Sequence, residues 1–151
     1  MDNFKSTDEV LDFALKNEEM SAELYGDLAK KMDNPQTRML FEELEKEEIK
    51  HKEKVLEFKT QKKLEPSSEK VKTLKIADYT TEMKLTKDMS YQQALLFAMQ
   101  AEKAEFRLYQ DLAAATDDAS LRDTLLTLAQ EEAKHKLRLE IEYDDYIMQE
   151  N

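Results

Sequence analysis

The sequence predicts an all-α protein, and three observations lead to that prediction. The 151 residues include one glycine and two prolines, so few positions interrupt a helix. Four segments carry apolar residues at alternating spacings of three and four, the pattern of a helix that buries one face. A chain of this length is expected to form one domain, residues 1–151, around a single core.

Capping residues set the ends of the four predicted helices. Ser6 and Glu9 have the spacing of a capping box, Pro35 suits a first helical position, and Gln93 follows Ser90 by three residues. The predicted helices are, in order, Ser6 or Thr7 to about Lys31, Pro35 to about Thr60, Ser90 to about Thr116, and Asp118 to about Met148.

The connection between the second and third helices, about residues 61–89, is too long for a tight turn. It contains Pro66 and a mixed segment that ends at Tyr79. Such a length suits a crossover that runs along a bundle. The sequence therefore predicts a four-helix bundle made of two helical hairpins, about residues 6–60 and 90–148, joined by one long crossover.

Charge and composition exclude several classes of function. The net charge of -11 argues against a nucleic-acid partner, since binding to phosphates needs a basic surface. The absence of cysteine excludes disulfides, thiolate metal sites and thiol nucleophiles. We find no apolar run of about 20 residues and no secretory signal, so we expect no membrane partner and a cytoplasmic location.

The chain repeats itself at a fixed offset of 84 residues (135 − 51 = 84). Phe13-Ala14 recurs as Phe97-Ala98, and Lys50-His51-Lys52 recurs as Lys134-His135-Lys136. With only two copies this is a duplication rather than a solenoid. It predicts two helical hairpins related by a pseudo-twofold axis.

Glutamates interrupt the apolar stripes of all four predicted helices. They are Glu18, Glu48, Glu102, Glu105 and Glu132. A buried, unpaired carboxylate is unfavourable by several kcal/mol, and five together would repel one another. No lysine or arginine lies on these stripes, so the cluster indicates bound cations.

Two Glu-x-x-His pairs identify the kind of cation site. Glu48/His51 and Glu132/His135 each place a carboxylate and an imidazole on one helix face, and the chain has no other histidine. Glutamates from two helices and Glu-x-x-His pairs from the other two form the di-iron or di-manganese carboxylate pattern. The predicted metal ligands are Glu18, Glu48, His51, Glu102, Glu132 and His135. If one histidine is considered without the other, the alternative to a metal ligand is a histidine packed in the core.

Three further residues are candidates for a catalytic role. Glu105 lies one turn after Glu102, where the first repeat has Ser21, and we expect it to be a seventh metal ligand. The alternative is a carboxylate that points along the bundle and hydrogen-bonds water. Tyr25 and Tyr109 follow their glutamates by two turns and either hydrogen-bond a ligating carboxylate or simply pack in the core.

Other residues near these stripes receive simpler interpretations. Glu47 and Glu131 lie off the stripes and are predicted to be surface residues. The methionines, such as Met20 and Met39, are predicted to pack in the core.

The ligand pattern resembles that of the ferritin-like superfamily, and within it the rubrerythrin family. The resemblance covers residues 6–60 and 90–148 and rests on the six ligands above. The extra carboxylate in Glu102-x-x-Glu105 is similar to the feature that separates rubrerythrins from bacterioferritins. It implies a ferritin-like bundle with a non-haem di-iron centre that reduces hydrogen peroxide or dioxygen. It also implies that one iron exchanges His51 for Glu105 with redox state.

One departure from the family concerns the source of electrons. Typical rubrerythrins carry a rubredoxin domain with four cysteines, whereas this chain has no cysteine, so we expect a separate electron-donor protein such as a rubredoxin. The expected cofactors are two iron ions, with manganese left open because Glu and His ligands accept both. A homodimer is expected. Two alternatives stay open: a protein that handles iron by ferroxidase activity, and a non-enzymatic helical interaction module.

Overall fold

The described residues form four long helices, as predicted. The computed structural model describes residues 3–61, 73–80 and 89–150, and these contain no β-strand. The helices are α1 (Thr7–Lys31), α2 (Pro35–Gln61), α3 (Tyr91–Ala115) and α4 (Ala119–Glu150), with a short 3₁₀ helix at Ile76–Tyr79 between α2 and α3. Every predicted end agrees within two residues. No helix in these ranges is both long enough and apolar enough to cross a membrane.

Side chains just before each helix hold its first turn. The Ser6 hydroxyl accepts a hydrogen bond from the Glu9 amide at 3.1 Å, and Ser90 and Gln93 form a reciprocal capping box. The carboxamide oxygen of Asn34 and the carboxylate of Asp118 accept from the first amides of α2 and α4. These bonds satisfy amides that have no partner within the helix.

The four helices bury two apolar clusters at opposite ends of the bundle. The first cluster contains the early part of α1, the end of α2, the end of α3 and the early part of α4, with Leu11, Val55, Leu112 and Leu125 among its members. The second cluster contains the other half of each helix, with Leu28, Phe41, Leu95 and Leu139. This distribution requires α1 to run antiparallel to both α2 and α3.

The structure describes one part of the connection between the two hairpins. Residues 73–80 lie against the N-terminus, where the Phe4 amide donates to the Leu74 carbonyl at 3.0 Å. Tyr79 is buried, stacks on Phe4 and donates its hydroxyl proton to Asp111 at 2.7 Å. The rest of the predicted crossover, residues 62–72 and 81–88, lies outside the described residues.

The prediction that the methionines pack in the core was wrong for three of the described ones. Met20 is 41% exposed, Met39 is 59% exposed and Met148 is 75% exposed. All three lie on helices whose inward stripes are filled by other residues, so their spacing did not place them in the core.

Gly26, in the middle of α1, provides a test of how closely α1 and α2 must approach. It is buried, and a Cβ atom added there would meet the carboxylate end of Glu45 on α2. That side chain is flexible and partly exposed, so its carboxylate end can move aside. We expect Gly26→Ala to raise the free energy of unfolding by about 0.5–1 kcal/mol, because alanine is the better helix former. Urea denaturation measures the change.

The matched control reverses the substitution at the equivalent position of the second repeat. Gln110 is exposed on α3, and Gln110→Gly should lower the free energy of unfolding by a similar amount. A loss of stability in Gly26→Ala would show instead that the approach of the two helices depends on the missing side chain.

Candidate metal centre

A layer of buried acidic and imidazole side chains separates the two apolar clusters. We call it the carboxylate layer. The carboxylate layer consists of Glu18, Glu48, His51, Glu102, Glu105, Glu132 and His135, each at most 3% exposed. All seven were predicted from the helical stripes, and the fold brings all seven together.

Six of these residues form two overlapping groups of metal-ligand atoms. In one group, atoms of Glu18, Glu48, His51 and Glu132 all lie within 4.8 Å of one another. The other group contains Glu48, Glu102, Glu132 and His135 at the same spacing. Glu48 and Glu132 therefore belong to both groups, while each histidine belongs to one.

Five buried carboxylate oxygens indicate whether a metal ion fits these two groups. The Oε2 atoms of all five glutamates in the carboxylate layer are buried and have no hydrogen-bond partner. Buried polar atoms are nearly always satisfied in proteins. Carboxylate oxygens and imidazole nitrogens are ligands of divalent transition metals, so the donor set fits a metal centre.

Burial and repulsion between carboxylates shift the pKa values of the glutamates in the carboxylate layer. Burial raises the pKa values of Glu18, Glu48, Glu105 and Glu132 above the ordinary glutamate value, and repulsion from at least one neighbouring carboxylate acts in the same direction on each. Glu102 differs, since interactions with Glu132 and His135 outweigh its burial and lower its pKa. The layer thus resists ionising fully unless positive charge enters it.

Each histidine contacts carboxylates of the other hairpin through both ring nitrogens. Nδ1 of His51 contacts Glu132, and its Nε2 lies 2.5 Å from Glu131 Oε2. His135 repeats the arrangement, with Nδ1 2.8 Å from Glu48 Oε1 and Nε2 in contact with Glu47. In both residues Nδ1 faces the carboxylate layer and Nε2 faces outward.

These contacts correct the interpretation of Glu47 and Glu131 as plain surface residues. Their side chains are 42% and 45% exposed, yet each holds the outward nitrogen of a buried histidine. Such a carboxylate fixes the orientation and tautomer of a ligating imidazole. Helical periodicity missed them because they lie beside the stripes. Their position directly before Glu48 and Glu132, repeated at the offset of 84, was the signal that could have revealed them.

The two tyrosines contact the carboxylate layer across the bundle. The Tyr25 hydroxyl donates to Glu102 Oε1 and the Tyr109 hydroxyl donates to Glu18 Oε1, each at 2.5 Å. Burial raises the pKa of both phenols well above the usual value, so both stay protonated donors. Each tyrosine therefore reaches the glutamate of the opposite hairpin rather than the one on its own helix.

Glu105 lies beside the two ligand groups and belongs to neither of them. Its Oε1 accepts a hydrogen bond from the Ser21 hydroxyl at 3.2 Å. Ser21 occupies the position of Glu105 in the first repeat, so this pair breaks the pseudo-twofold symmetry of the centre. Its role as a seventh ligand stays a prediction.

The raised pKa of Glu105 leads to a test in metal-free protein. A raised carboxyl pKa favours the fold while the group is protonated, and this stability is lost as the pH rises from the unfolded value, about 4.3, through the folded value. Glu105→Gln cannot ionise. We expect its free energy of unfolding, measured with a chelator present, to equal that of wild type near pH 4 and to exceed it increasingly toward pH 7. A difference that stays constant with pH would contradict a raised pKa.

The outward contacts of the histidines lead to a second test. We expect Glu47→Gln and Glu131→Gln each to weaken metal binding by about 10–100-fold, because a ligating imidazole loses its anionic partner. Calorimetric titration with Mn²⁺ or anaerobic Fe²⁺ measures the affinity. Glu53→Gln, at an exposed position of α2, is the matched control and should leave the affinity unchanged.

Comparisons with known proteins agree with this geometry. The sequence profile of the rubrerythrin family, described as Rubrerythrin, matches residues 9–143 of the chain. No curated protein and no solved structure matches significantly. The profile covers most of the 151 residues, including all seven residues of the carboxylate layer. The chain therefore belongs to the rubrerythrin family.

Proposed function

We propose that the carboxylate layer holds two iron ions and that the protein reduces hydrogen peroxide, or dioxygen, with electrons from a separate donor protein. One observation carries the proposal: five buried carboxylate oxygens lack partners, and four of them belong to residues of the two ligand groups that share Glu48 and Glu132. The family supports iron and an oxidoreductase role.

The two ligand groups suggest how the residues divide between the ions. Glu48 and Glu132 belong to both groups and would contribute to holding both ions. Glu18 with His51 would complete one site, and Glu102 with His135 would complete the other. The two ions together supply four positive charges against five carboxylates, which relieves most of the repulsion in the layer.

The ferrous ions, when bound, supply the two electrons that cleave the O–O bond of peroxide. The protein supplies the surroundings of this reaction. The two apolar clusters exclude water from both ends of the layer. The hydroxyls of Tyr25 and Tyr109 hold Glu102 and Glu18 in place.

Glu105 is the residue best placed to carry a proton. Reducing one peroxide to two waters consumes two protons as well as two electrons. Glu105 Oε2 is buried without a partner, and burial raises the pKa of this carboxyl well above the ordinary value, so it keeps its proton to a higher pH than an exposed glutamate does. We therefore assign Glu105 a catalytic role, with Tyr25 and Tyr109 as positioning residues.

Anaerobic iron loading followed by peroxide tests the proposal. We expect wild type to bind two ferrous ions per chain and to develop near-ultraviolet absorbance of an oxo-bridged diferric centre when peroxide is added. Glu48→Ala and Glu132→Ala remove the shared carboxylates and should lose both properties. Glu53→Ala, an exposed glutamate on α2, should retain both.

Two results would count against the proposal in different ways. Wild type that holds no more iron or manganese than Glu48→Ala and Glu132→Ala would overturn the metal centre itself. Wild type that binds iron but shows no absorbance change with peroxide would overturn the peroxidase function and leave the metal centre intact.

A further inference from the structure

A pocket of about 210 Å³ lies between α1 and α3 and reaches the carboxylate layer. One wall comes from α1 and the other from α3, and Tyr79 and Thr80 of the connecting segment form part of the lining. Met20 and Thr80 are exposed, whereas Ser21 and Glu105 are buried. The pocket thus links the surface to the Ser21–Glu105 pair.

Small residues on one wall create this space. The walls pair at the repeat offset of 84, so that Asn17 lies in the position of Ala101, and Met20 lies in the position of Ala104. In these two pairs the α1 wall carries the larger residue, whereas Phe13 and Phe97 are identical and Glu105 on α3 is larger than Ser21. The two alanines of α3 leave the volume that larger residues at their positions would fill.

The lining of the pocket suits an uncharged molecule. It is mostly apolar, with Phe13 and Phe97 also contributing, and its polar groups are neutral apart from the Glu105 carboxyl at its inner end. Sites for small molecules commonly combine apolar walls with a few polar groups that fix orientation. Hydrogen peroxide is small and uncharged and can both donate and accept hydrogen bonds there.

The opposite side of the carboxylate layer has a different character. A cleft of about 300 Å³ between α2 and α4 is lined by Lys50, Lys134 and Arg138, together with Glu47 and Glu131. The rings of His51 and His135 also line this cleft and stack with centroids 5.5 Å apart, between the cleft and the glutamates of the layer. The stacked rings obstruct the path from this cleft to the carboxylates.

We propose that the α1–α3 pocket is the access path and binding site for the small uncharged oxidant, and that Ala101 and Ala104 set its width. This inference rests on the proposed function, because it assumes that the metal centre reacts with such a molecule. Ala101 and Ala104 belong to neither ligand group, so replacing them leaves every residue of those groups in place.

Substitutions that narrow or widen the pocket test the proposal. Ala104→Met gives the α3 wall the residue that α1 has at the equivalent position. Ala101→Leu narrows the pocket at the other alanine of the α3 wall. Met20→Ala widens it, and Met20 is partly exposed, so the fold should tolerate the change. Ala114→Met, at an exposed position of α3, is the matched control for the alanine substitutions.

Two rates should respond, and one of them involves no turnover. The first is the stopped-flow association of nitric oxide, a small uncharged ligand, with the anaerobic ferrous-loaded protein. The second is oxidation of the same protein by hydrogen peroxide. We expect Ala104→Met and Ala101→Leu to slow both rates on the order of tenfold. We expect Met20→Ala to accelerate oxidation most for a bulky alkyl hydroperoxide, and Ala114→Met to match wild type.

Iron titration of each variant separates the possible failures. If wild type binds no iron, the proposed function fails. If all variants bind iron as wild type does, and the narrowed pockets leave both rates unchanged, the access path is overturned while the proposed function stands. If circular dichroism shows that a narrowed variant does not fold, Met20→Ala becomes the deciding variant. An oxidation rate with the bulky hydroperoxide that equals the wild-type rate would then overturn the access path.

Discussion

Five carboxylates share one buried layer, and their mutual repulsion is the constraint on which the rest of the structure depends. Such a layer opposes folding unless protons or cations neutralise it. The protein places apolar clusters on both sides of the layer, and these clusters provide the favourable burial that keeps the layer dry. The same dryness strengthens every electrostatic interaction inside it. Stability and affinity for cations are therefore linked through one set of side chains.

The hydrogen bonds of the centre run between the hairpins rather than within them. Tyr25 and Tyr109 each donate to a glutamate of the other hairpin, and Ser21 donates to Glu105 in the same way. Both histidines contact carboxylates of the opposite hairpin. The centre therefore joins the two halves of the molecule. Neither hairpin alone contains a complete group of ligands.

Much of this arrangement could be predicted from the sequence, because helical periodicity decides which side chains face inward. The four helices and all seven residues of the carboxylate layer followed from stripes of apolar residues interrupted by Glu and His. Periodicity says little about how far a long side chain reaches. Glu47 and Glu131 lie beside the stripes and are partly exposed, so their contacts with the histidines were not predicted. The partners of Tyr25 and Tyr109 depend on how the hairpins face each other, which no single helix encodes.

The pairing of Ser21 with Glu105 also bears on the history of the chain. A dimer of two identical hairpins would carry the same residue at both positions, since one codon would specify them. It would therefore have either two serines or two acidic groups at this point. Joining the copies into one chain gave each position its own codon and allowed the two to diverge. A centre with different residues at these two positions can therefore form in a fused duplication, but not in a symmetric dimer of identical hairpins.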